Sequence, residues 1–248
     1  MICIPIMART TEAALKEMEK CSRLADMVEL RIDQMADIRL DKLMSEKQGK
    51  VLVTNRRREE GGGFLGREAE RVRLLKDAVA LGADYVDMEV STASALARGL
   101  RREVEMRRGG AELIVSHHDL QWTPSTRALR KRLEECESAG AHIVKIVTRA
   151  NSVEDNLKVL GLIPYARKRG RLIIAFCMGE LGRASRAIAP LLGSYLTFAA
   201  LGKGGESGSG QFTLKETRQI LRILGGDPQM QHGSLELLRC EKSPLAPL

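Results

Sequence analysis

The amino-acid sequence predicts a single-domain (β/α)8 TIM barrel, an α/β fold class supported by three observations. Apolar runs of strand length alternate with helix-like segments eight times, at roughly 28 residues per unit. Several runs are continuously apolar, as expected of parallel strands that are covered on both faces. The length of 248 residues matches the ~250 residues that such barrels commonly need. A doubly wound open sheet is the second candidate, but no Gly-x-Gly-x-x-Gly sequence follows the first strand.

The predicted strands cover residues 1–6, 27–33, 50–54, 84–90, 113–119, 141–147, 172–176 and 195–199. Helices are predicted after the capping sequence at Thr10 and over residues 38–47, 67–81, 91–107, 126–138, 152–169, part of 180–192, and 213–224. Pro164 should disturb the sixth helix, because proline lacks the N–H that continues the hydrogen-bond ladder. The barrel is therefore expected to occupy residues 1–224, followed by a C-terminal tail at 225–248 with at most one short helix.

Composition narrows the class of protein. Apolar residues make up 44% of the chain, enough for a large core, and no apolar run reaches the ~18 residues of a membrane-spanning helix. Charged residues interrupt residues 1–20, which predicts that no signal peptide is present. The five cysteines are odd in number and lack Cys-x-x-Cys spacing. Reduced thiols in the cytoplasm are therefore expected, rather than disulfides or a zinc site.

The net charge of +8 raises the alternative of a nucleic-acid-binding protein. The arginines, however, are spread along the chain and often lie beside acidic residues, and aromatic residues make up only 3% of the total. Few aromatic side chains are thus available to stack on single-stranded bases. A solvated basic surface is the simpler interpretation, and a small anionic substrate is the more specific one.

Lys145 and His118 are the two residues that most directly indicate a catalytic function. Lys145 lies among aliphatic residues of the sixth strand, where burial disfavours the ammonium and favours a neutral amine that can attack a carbonyl. His118 ends the fifth strand and is a suitable proton carrier near neutral pH. Together they predict Schiff-base chemistry with an acid/base partner. The alternatives are a lysine that reaches solvent from a strand edge or end, and a histidine that only packs.

Catalytic groups of a (β/α)8 barrel lie at the carboxyl ends of its strands and in the loops that follow. Six motifs fall there: Glu29-Leu30-Arg31-Ile32-Asp33, Thr54-x-Arg56 with Glu60-Gly61-Gly62, Ser116-x-His118-Asp119, Val144-Lys145, Met178-Gly179-x-x-Gly182-x-x-Ser185-Arg186, and Gly210-Gln211. In this order and on these strands, the motifs resemble those of the type I 3-dehydroquinate dehydratases. The resemblance covers residues 1 to about 224.

That resemblance implies an enzyme of the shikimate pathway that converts 3-dehydroquinate to 3-dehydroshikimate and water. It also implies a homodimer that needs no metal or organic cofactor. By matching positions, Lys145 corresponds to the Schiff-base lysine, His118 to the general acid/base, and Glu60 to the acid that orients this histidine. The groups that hold the ring hydroxyls correspond to Glu29, Arg31 and Arg56. The groups that bind the carboxylate and close over the substrate correspond to Arg186, Ser207 and Gln211.

Two positions depart from the family pattern. His117 stands where the family usually has tyrosine, and Gly208-Ser209 stands where many members have Ala-Pro. A loop without that proline is expected to be more mobile before closure. The change also makes Ser209 an alternative to Ser207 as the substrate contact.

For some of the charged residues, the sequence allows more than one role. Glu29 and Arg31 could form an ion pair that lines the barrel, and Asp87 and Glu89 fit either a structural or a supporting role.

Glycines are frequent in the loop over residues 202–210, which predicts poor order in the free enzyme on the ns–μs timescale. Closure of this loop over the substrate is therefore expected.

Two other functions remain as alternatives. A lysine Schiff-base aldolase on the same barrel would bind phosphate in the loops after strands seven and eight, where Gly202-Lys203-Gly204-Gly205 could serve. Arg186 and Gln211 suit a carboxylate better. A nucleic-acid binder would lose affinity steeply with salt and would not need Lys145. The resemblance favours a small-molecule substrate over a nucleic-acid or membrane partner.

Overall fold

The computed structural model describes residues 1–107 and 110–225, in which eight parallel strands form one barrel. Strands β1 to β8 cover Ile2–Ile6, Met27–Arg31, Lys50–Thr54, Tyr85–Glu89, Glu112–Asp119, Ile143–Arg149, Leu172–Met178 and Thr197–Phe198. Neighbouring strands pair in the order β7-β6-β5-β4-β3-β2-β1-β8. The N–H of Tyr195 donates to the carbonyl of Ile173 at 2.7 Å, which nearly closes the circle between β8 and β7. The predicted fold class is confirmed.

Helices α1 to α9 cover Thr11–Ser22, Leu40–Ser45, Glu68–Leu81, Ser94–Met106, Thr126–Ser138, Asp155–Leu160, Leu162–Lys168, Arg183–Ile188 and Leu214–Ile223. Three of them begin at a hydroxyl that accepts a backbone N–H of the first turn, from Thr10, Ser125 and Thr213. These caps satisfy N–H groups that have no partner within the helix. Short 3-10 turns at Ile32–Gln34, Arg58–Glu60 and Glu180–Gly182 follow β2, β3 and β7.

The predicted sixth helix is divided in two. Helix α6 ends at Leu160 and α7 begins at Leu162, with Gly161 between them. Pro164 is the third residue of α7, where its missing N–H costs no bond within the helix. A continuous helix would instead press the Pro164 ring against the carbonyl of Leu160. The helix is therefore interrupted three residues before Pro164, the position at which the sequence predicts a disturbance.

The core has an inner and an outer apolar layer. The inner layer fills the barrel and includes Leu52, Ile114 and Ile174, all fully buried. The outer layer lies between strands and helices and includes Val53 and Leu75. Alternate residues of a strand point to opposite faces, so each strand contributes to both layers. Near the carboxyl ends of the strands the inner layer becomes polar, and this change forms the site.

Four cysteines of the described residues, Cys3, Cys21, Cys136 and Cys177, are buried and free. The fifth, Cys240, lies outside the described residues, as does the predicted C-terminal tail beyond residue 225. Within residues 1–107 and 110–225, no helix has the length and apolar character needed to cross a membrane.

Candidate active site

A cavity of about 240 Å³ opens at the carboxyl ends of the strands. Pockets for drug-sized ligands measure ~300–1,000 Å³, so this cavity suits a smaller, single-ring molecule. Every site residue predicted from the sequence lines it except Gln211: Glu29, Arg31, Arg56, Glu60, His118, Lys145, Arg186 and Ser207. Phe176, Met178 and Phe198 supply an apolar wall. The described residues contain no cluster of three or more His, Cys, Asp or Glu that could hold a metal ion.

Lys145 lies inside the barrel, on β6 between β5 and β7. Its exposed fraction is 4%, so it does not reach solvent from a strand edge or end. The Nζ atom lies 2.9 Å from Asp87 Oδ2 and 3.9 Å from Glu29 Oε1. It also lies 4.6 Å from the centroid of the Phe198 ring. An anionic oxygen and an aromatic ring thus lie against the Nζ atom, which must be a neutral amine before it can act as a nucleophile.

His118 is held by one carboxylate. Glu60 Oε2 accepts the backbone N–H of His118 at 2.9 Å and lies 3.0 Å from its Nδ1, while Ser91 Oγ donates to Glu60 Oε1 at 3.1 Å. An ionised Glu60 accepts the Nδ1 proton, which leaves Nε2 with a free lone pair. Burial, together with the positive charges of Arg56 and Lys145, lowers the pKa of His118 well below its usual range. The imidazole is therefore neutral near pH 7 and suited to accept a proton.

Glu60 itself has an unusual environment. Burial raises the pKa of Glu60 to about 7, although the Arg56 cation opposes that rise. The carboxyl group therefore changes its charge within the physiological pH range. Since this group orients the His118 ring, the ring's environment depends on pH as well.

The side chain of His117 points away from the cavity, unlike that of His118. Adjacent residues of a strand face opposite sides, and the charged groups that influence His117 include Arg132 and Glu135 of α5. Its side chain thus belongs to the layer between barrel and helices. Of the two histidines, His118 is the one that lines the cavity.

Asp87 joins Lys145 to a buried ion-pair network. Its Oδ2 lies 2.8 Å from Arg56 Nη2 as well as 2.9 Å from Lys145 Nζ. Arg56 Nη1 also donates to Glu89 Oε1 at 2.9 Å, and all four side chains are at most 5% exposed. Burial alone would raise the pKa of Asp87, but Arg56 and Lys145 outweigh it and hold that pKa well below its usual range. Asp87 therefore remains ionised.

Glu29 and Arg31 do not pair with each other. Arg31 forms a two-pronged ion pair with Asp33, with both N···O distances at 2.8 Å. Glu29 Oε1 instead accepts the hydroxyl of Thr54 at 2.8 Å. Asp33 neutralises Arg31 and orients its guanidinium, while Glu29 contributes a carboxylate to the cavity wall. The ion-pair interpretation of Glu29 and Arg31 is wrong.

Arg186 is a buried cation without an acidic partner. It is 5% exposed, and no carboxylate of the described residues lies within ion-pair distance, whereas the other buried cations are paired: Arg31, Arg56, Arg71 and Lys145. Its Nη2 donates to the carbonyl of Ser209 at 3.3 Å, and its Nε has no partner. Burial lowers the pKa of Arg186 to about 10. An anionic ligand would supply the missing charge.

The Gly-rich loop places Ser207 at the cavity. Gln211 Oε1 accepts the backbone N–H of Ser207 at 2.9 Å and its hydroxyl at 3.3 Å. Gln211 Nε2 is buried without a partner, although Gln211 does not line the cavity. Ser209 Oγ accepts the N–H of Gly179 at 3.1 Å, and Ser209, unlike Ser207, does not line the cavity. The geometry favours Ser207 over Ser209 as the residue that meets a ligand.

Arg71 belongs to the charge network although sequence reasoning did not single it out. It lies on α3 with an exposed fraction of 1%, binds both oxygens of Glu68 and donates to the carbonyl of Asn55 at 2.8 Å. Its Nη1 lies 2.7 Å from Glu89 Oε2. The available signal was helical spacing, because Arg71 stands four residues before Leu75 on the buried face.

Fold and site together define a class of protein: a (β/α)8-barrel enzyme that presents an amine, an imidazole and an unpaired guanidinium to one small cavity. Such a set suits a ligand that carries both a carbonyl and an anionic group. The family model of type I 3-dehydroquinase matches residues 2–228. The chain belongs to that family.

Individual relatives are similar along nearly their whole length. The 3-dehydroquinate dehydratase of Desulfotalea psychrophila is 35% identical over 223 residues, which cover 88% of this chain and 96% of the relative. That of Pyrococcus abyssi is 35% identical over 227 residues, covering 91% and 99%. The crystal structure of the Geobacillus kaustophilus HTA426 enzyme has a TM-score of 0.82 at 29% identity, covering 92% of this chain and 91% of that chain.

Proposed function

We propose that this chain is a 3-dehydroquinate dehydratase, a hydro-lyase of the shikimate pathway, that acts through a Schiff base on Lys145. Family membership and the named relatives support the reaction. One observation carries the assignment to this site. Lys145, His118 and the unpaired Arg186 face the same cavity.

The first step forms the covalent intermediate. After Lys145 loses a proton, its amine attacks the ketone carbon of the ring, and the ketone oxygen leaves as water. The product is an iminium, which carries one positive charge as the ammonium did. Asp87, at 2.9 Å from Nζ, therefore faces a cation before and after the step. Its ionised carboxylate stabilises the iminium without moving.

The second step eliminates water. The iminium withdraws electrons and acidifies the neighbouring carbon, from which neutral His118 takes a proton. The electrons form an enamine, and the protonated His118 then gives its proton to the departing hydroxyl. Water is released, and a second water hydrolyses the imine and frees Lys145. Glu60 holds the His118 ring during both proton transfers through the 3.0 Å contact to Nδ1.

Substrate orientation comes from the remaining residues. Arg186 binds the substrate carboxylate, and a guanidinium can do so through two parallel hydrogen bonds. Glu29, Arg31 and Arg56, which line the same cavity, hold the ring hydroxyls. Ser207 and Gln211 close over the carboxylate, to which the unpartnered Gln211 Nε2 would donate once the loop has closed.

The aldolase alternative gains no support from the geometry. Its phosphate site would include Lys203, which is exposed and does not line the cavity.

We further propose that the protein is a homodimer that works in the cytoplasm without a metal or organic cofactor, and that the barrel domain covers residues 1–224. The proposed partner is a small-molecule substrate, and neither a nucleic acid nor a membrane is expected as a partner. Family membership is what supports these points.

The test combines turnover with trapping. The purified protein is mixed with 3-dehydroquinate, and the ultraviolet absorbance of the conjugated enone product is followed. Borohydride added during turnover should inactivate the protein and add the ligand mass to Lys145, as mapped by peptide mass spectrometry. Lys145→Met should abolish both signals, whereas Lys20→Met, on an exposed face of α1, should change neither. Absorbance without a label on Lys145 would contradict the Schiff base, and no absorbance change would contradict the function.

A further inference from the structure

We propose that Ser116 is a positioning residue of the reaction: its hydroxyl fixes the Asp87 carboxylate and takes up part of its negative charge, so that Lys145 gives up its proton more readily. The inference rests on the proposed function, because it concerns the amine that forms the Schiff base. Ser116 acts through Asp87 and does not line the cavity.

Ser116 stands between the two strands that carry the interacting charges. On β5 it is paired in register with Glu89 of β4 and with Lys145 of β6, and it is fully buried. Residues paired in register on neighbouring parallel strands point their side chains to the same face of the sheet, which is here the interior of the barrel. The hydroxyl is thus placed among the charged groups that surround Lys145.

The direction of both hydrogen bonds of Ser116 is fixed by chemistry. Arg56 Nη1 lies 2.7 Å from Ser116 Oγ, and a guanidinium can only donate. Ser116 Oγ lies 2.6 Å from Asp87 Oδ1, and an ionised carboxylate can only accept. The single hydroxyl proton therefore points at Asp87. A hydrogen bond this short to a charged acceptor is of the strong kind.

The two oxygens of Asp87 have separate partners. Oδ2 interacts with Arg56 and Lys145, at 2.8 and 2.9 Å, while Oδ1 interacts with Ser116. Without the hydroxyl, Oδ1 loses its donor, and the negative charge of Asp87 is less spread out. The attraction between Asp87 and the Lys145 ammonium then grows, and less neutral amine is present at a given pH.

The substitution leaves the other charges paired. Arg56 retains Glu89 at 2.9 Å and Asp87 at 2.8 Å when the serine hydroxyl is removed. The titratable or charged groups around Lys145 come from several elements, namely Cys3, Glu29, Arg56, Asp87, His118 and Arg186. Ser116 bonds only Arg56 and Asp87 among them, so its influence on the amine passes through Asp87.

The experiment measures how fast the amine reacts, without using substrate. Full-length protein is treated with formaldehyde and cyanoborohydride over a series of pH values, and methylation of Lys145 is quantified by peptide mass spectrometry. Ser116→Ala should react more slowly at neutral pH, by on the order of 3- to 10-fold for the loss of one hydrogen bond to a charged group. The deficit should shrink as pH rises, because the amine then becomes neutral in both proteins.

Three further variants make the result specific. Ser116→Thr keeps the hydroxyl and should stay within about twofold of the parent, while Ser116→Cys, with its weak S–H donor, should be intermediate. Thr148→Val is the matched control, since it removes a buried hydroxyl on β6 whose partners include Thr123, at 2.7 Å, rather than Asp87. It should leave methylation of Lys145 unchanged. If Ser116→Ala fails to fold, the Cys and Thr variants decide the question.

Each outcome bears on the proposal. Equal or faster methylation of Ser116→Ala or Ser116→Cys at neutral pH overturns it, and so does a deficit that stays constant at every pH, which indicates damaged packing. A parent protein that neither turns over 3-dehydroquinate nor is trapped at Lys145 overturns the proposed function instead. A parent that does both, with a Ser116→Ala variant of unchanged methylation and kcat, overturns only the role of Ser116.

Discussion

Glu60 Oε2 lies 2.9 Å from the backbone nitrogen of His118 and 3.0 Å from its ring Nδ1. One carboxylate oxygen thus holds the residue at two points, so the orientation of the ring is tied to the strand that carries it. Glu60 comes from the 3-10 turn after β3, and His118 from the end of β5. The contact therefore fixes two parts of the cavity rim, one on each side of β4, relative to each other.

Activity should rise with pH through about 7, where Glu60 becomes ionised. Below that pH, a protonated Glu60 no longer accepts the Nδ1 proton, and His118 loses its preferred tautomer. Glu60→Gln should lower kcat/KM by about 10- to 100-fold, because an amide stabilises the protonated ring less well. It should also remove this limb from the pH profile. A Gln variant that retains the limb would assign it to another group.

The same residue makes a prediction about stability. The pKa of Glu60 is about 7 in the folded protein and near 4.5 for an unperturbed glutamate. The folded state therefore binds this proton more tightly, and the stabilisation that results is complete below about pH 4.5 and is lost as pH rises through about 7. Above pH 7, Glu60→Gln should unfold at higher denaturant concentration than the parent, by at most about 3 kcal/mol. The difference should vanish in mild acid.

The two histidines should differ sharply in their effect on turnover. His118→Ala should still permit trapping of an imine but should slow elimination by about 10²–10⁴-fold, as for the loss of a positioned acid/base group. His117→Ala should have a much smaller effect, because its side chain lies outside the barrel interior. Stopped-flow absorbance separates the two steps. A larger loss in His117→Ala would mean that the wrong face of β5 has been assigned.

Arg186 should dominate recognition of the carboxylate. Arg186→Ala removes the unpaired cation and should cost several kcal/mol in kcat/KM, roughly the loss of one side of a buried charged pair. Gln211→Ala removes a neutral partner and should cost about 1–2 kcal/mol. Arg186→Lys keeps the charge but not the planar fork, and should recover only part of the loss. Equal losses for Arg186→Ala and Gln211→Ala would argue against a carboxylate at this position.

The Gly-rich loop should depend on Gly210. Its φ is +78°, and a Cβ there would clash with the carbonyl oxygen of Gly179, so Gly210→Ala must displace the loop. KM should rise by about tenfold, with a smaller change in folding stability. Amide exchange over residues 202–211 should slow when a substrate-like carboxylate binds the parent, and less so in the variant. Identical exchange in the parent with and without ligand would rule out a closing lid.

The strands and the lining of the cavity can be predicted from the sequence, but the contacts between charged side chains cannot. Lys145 was recognisable because a charged residue interrupts an aliphatic strand. Its pairing with Asp87, 58 residues away, depends on the lateral register of β4, β5 and β6, which local patterns do not encode. Arg71 was missed because Glu68 at i−3 gives it the look of an exposed helix pair. Only its helical position relative to the apolar stripe shows that it is buried.

The barrel is joined least firmly between β7 and β8. Strand β8 has two residues, and the bond from Tyr195 to Ile173 links its approach to β7. Arg186 lies on α8, within the connection that spans this gap. A molecule bound covalently to β6 and by its carboxylate to α8 would link β6 to the connection that spans this gap. This link would form and break in each catalytic cycle, so the stability of the barrel would change during turnover. A trapped adduct should therefore resist heat and proteolysis more than the empty barrel does.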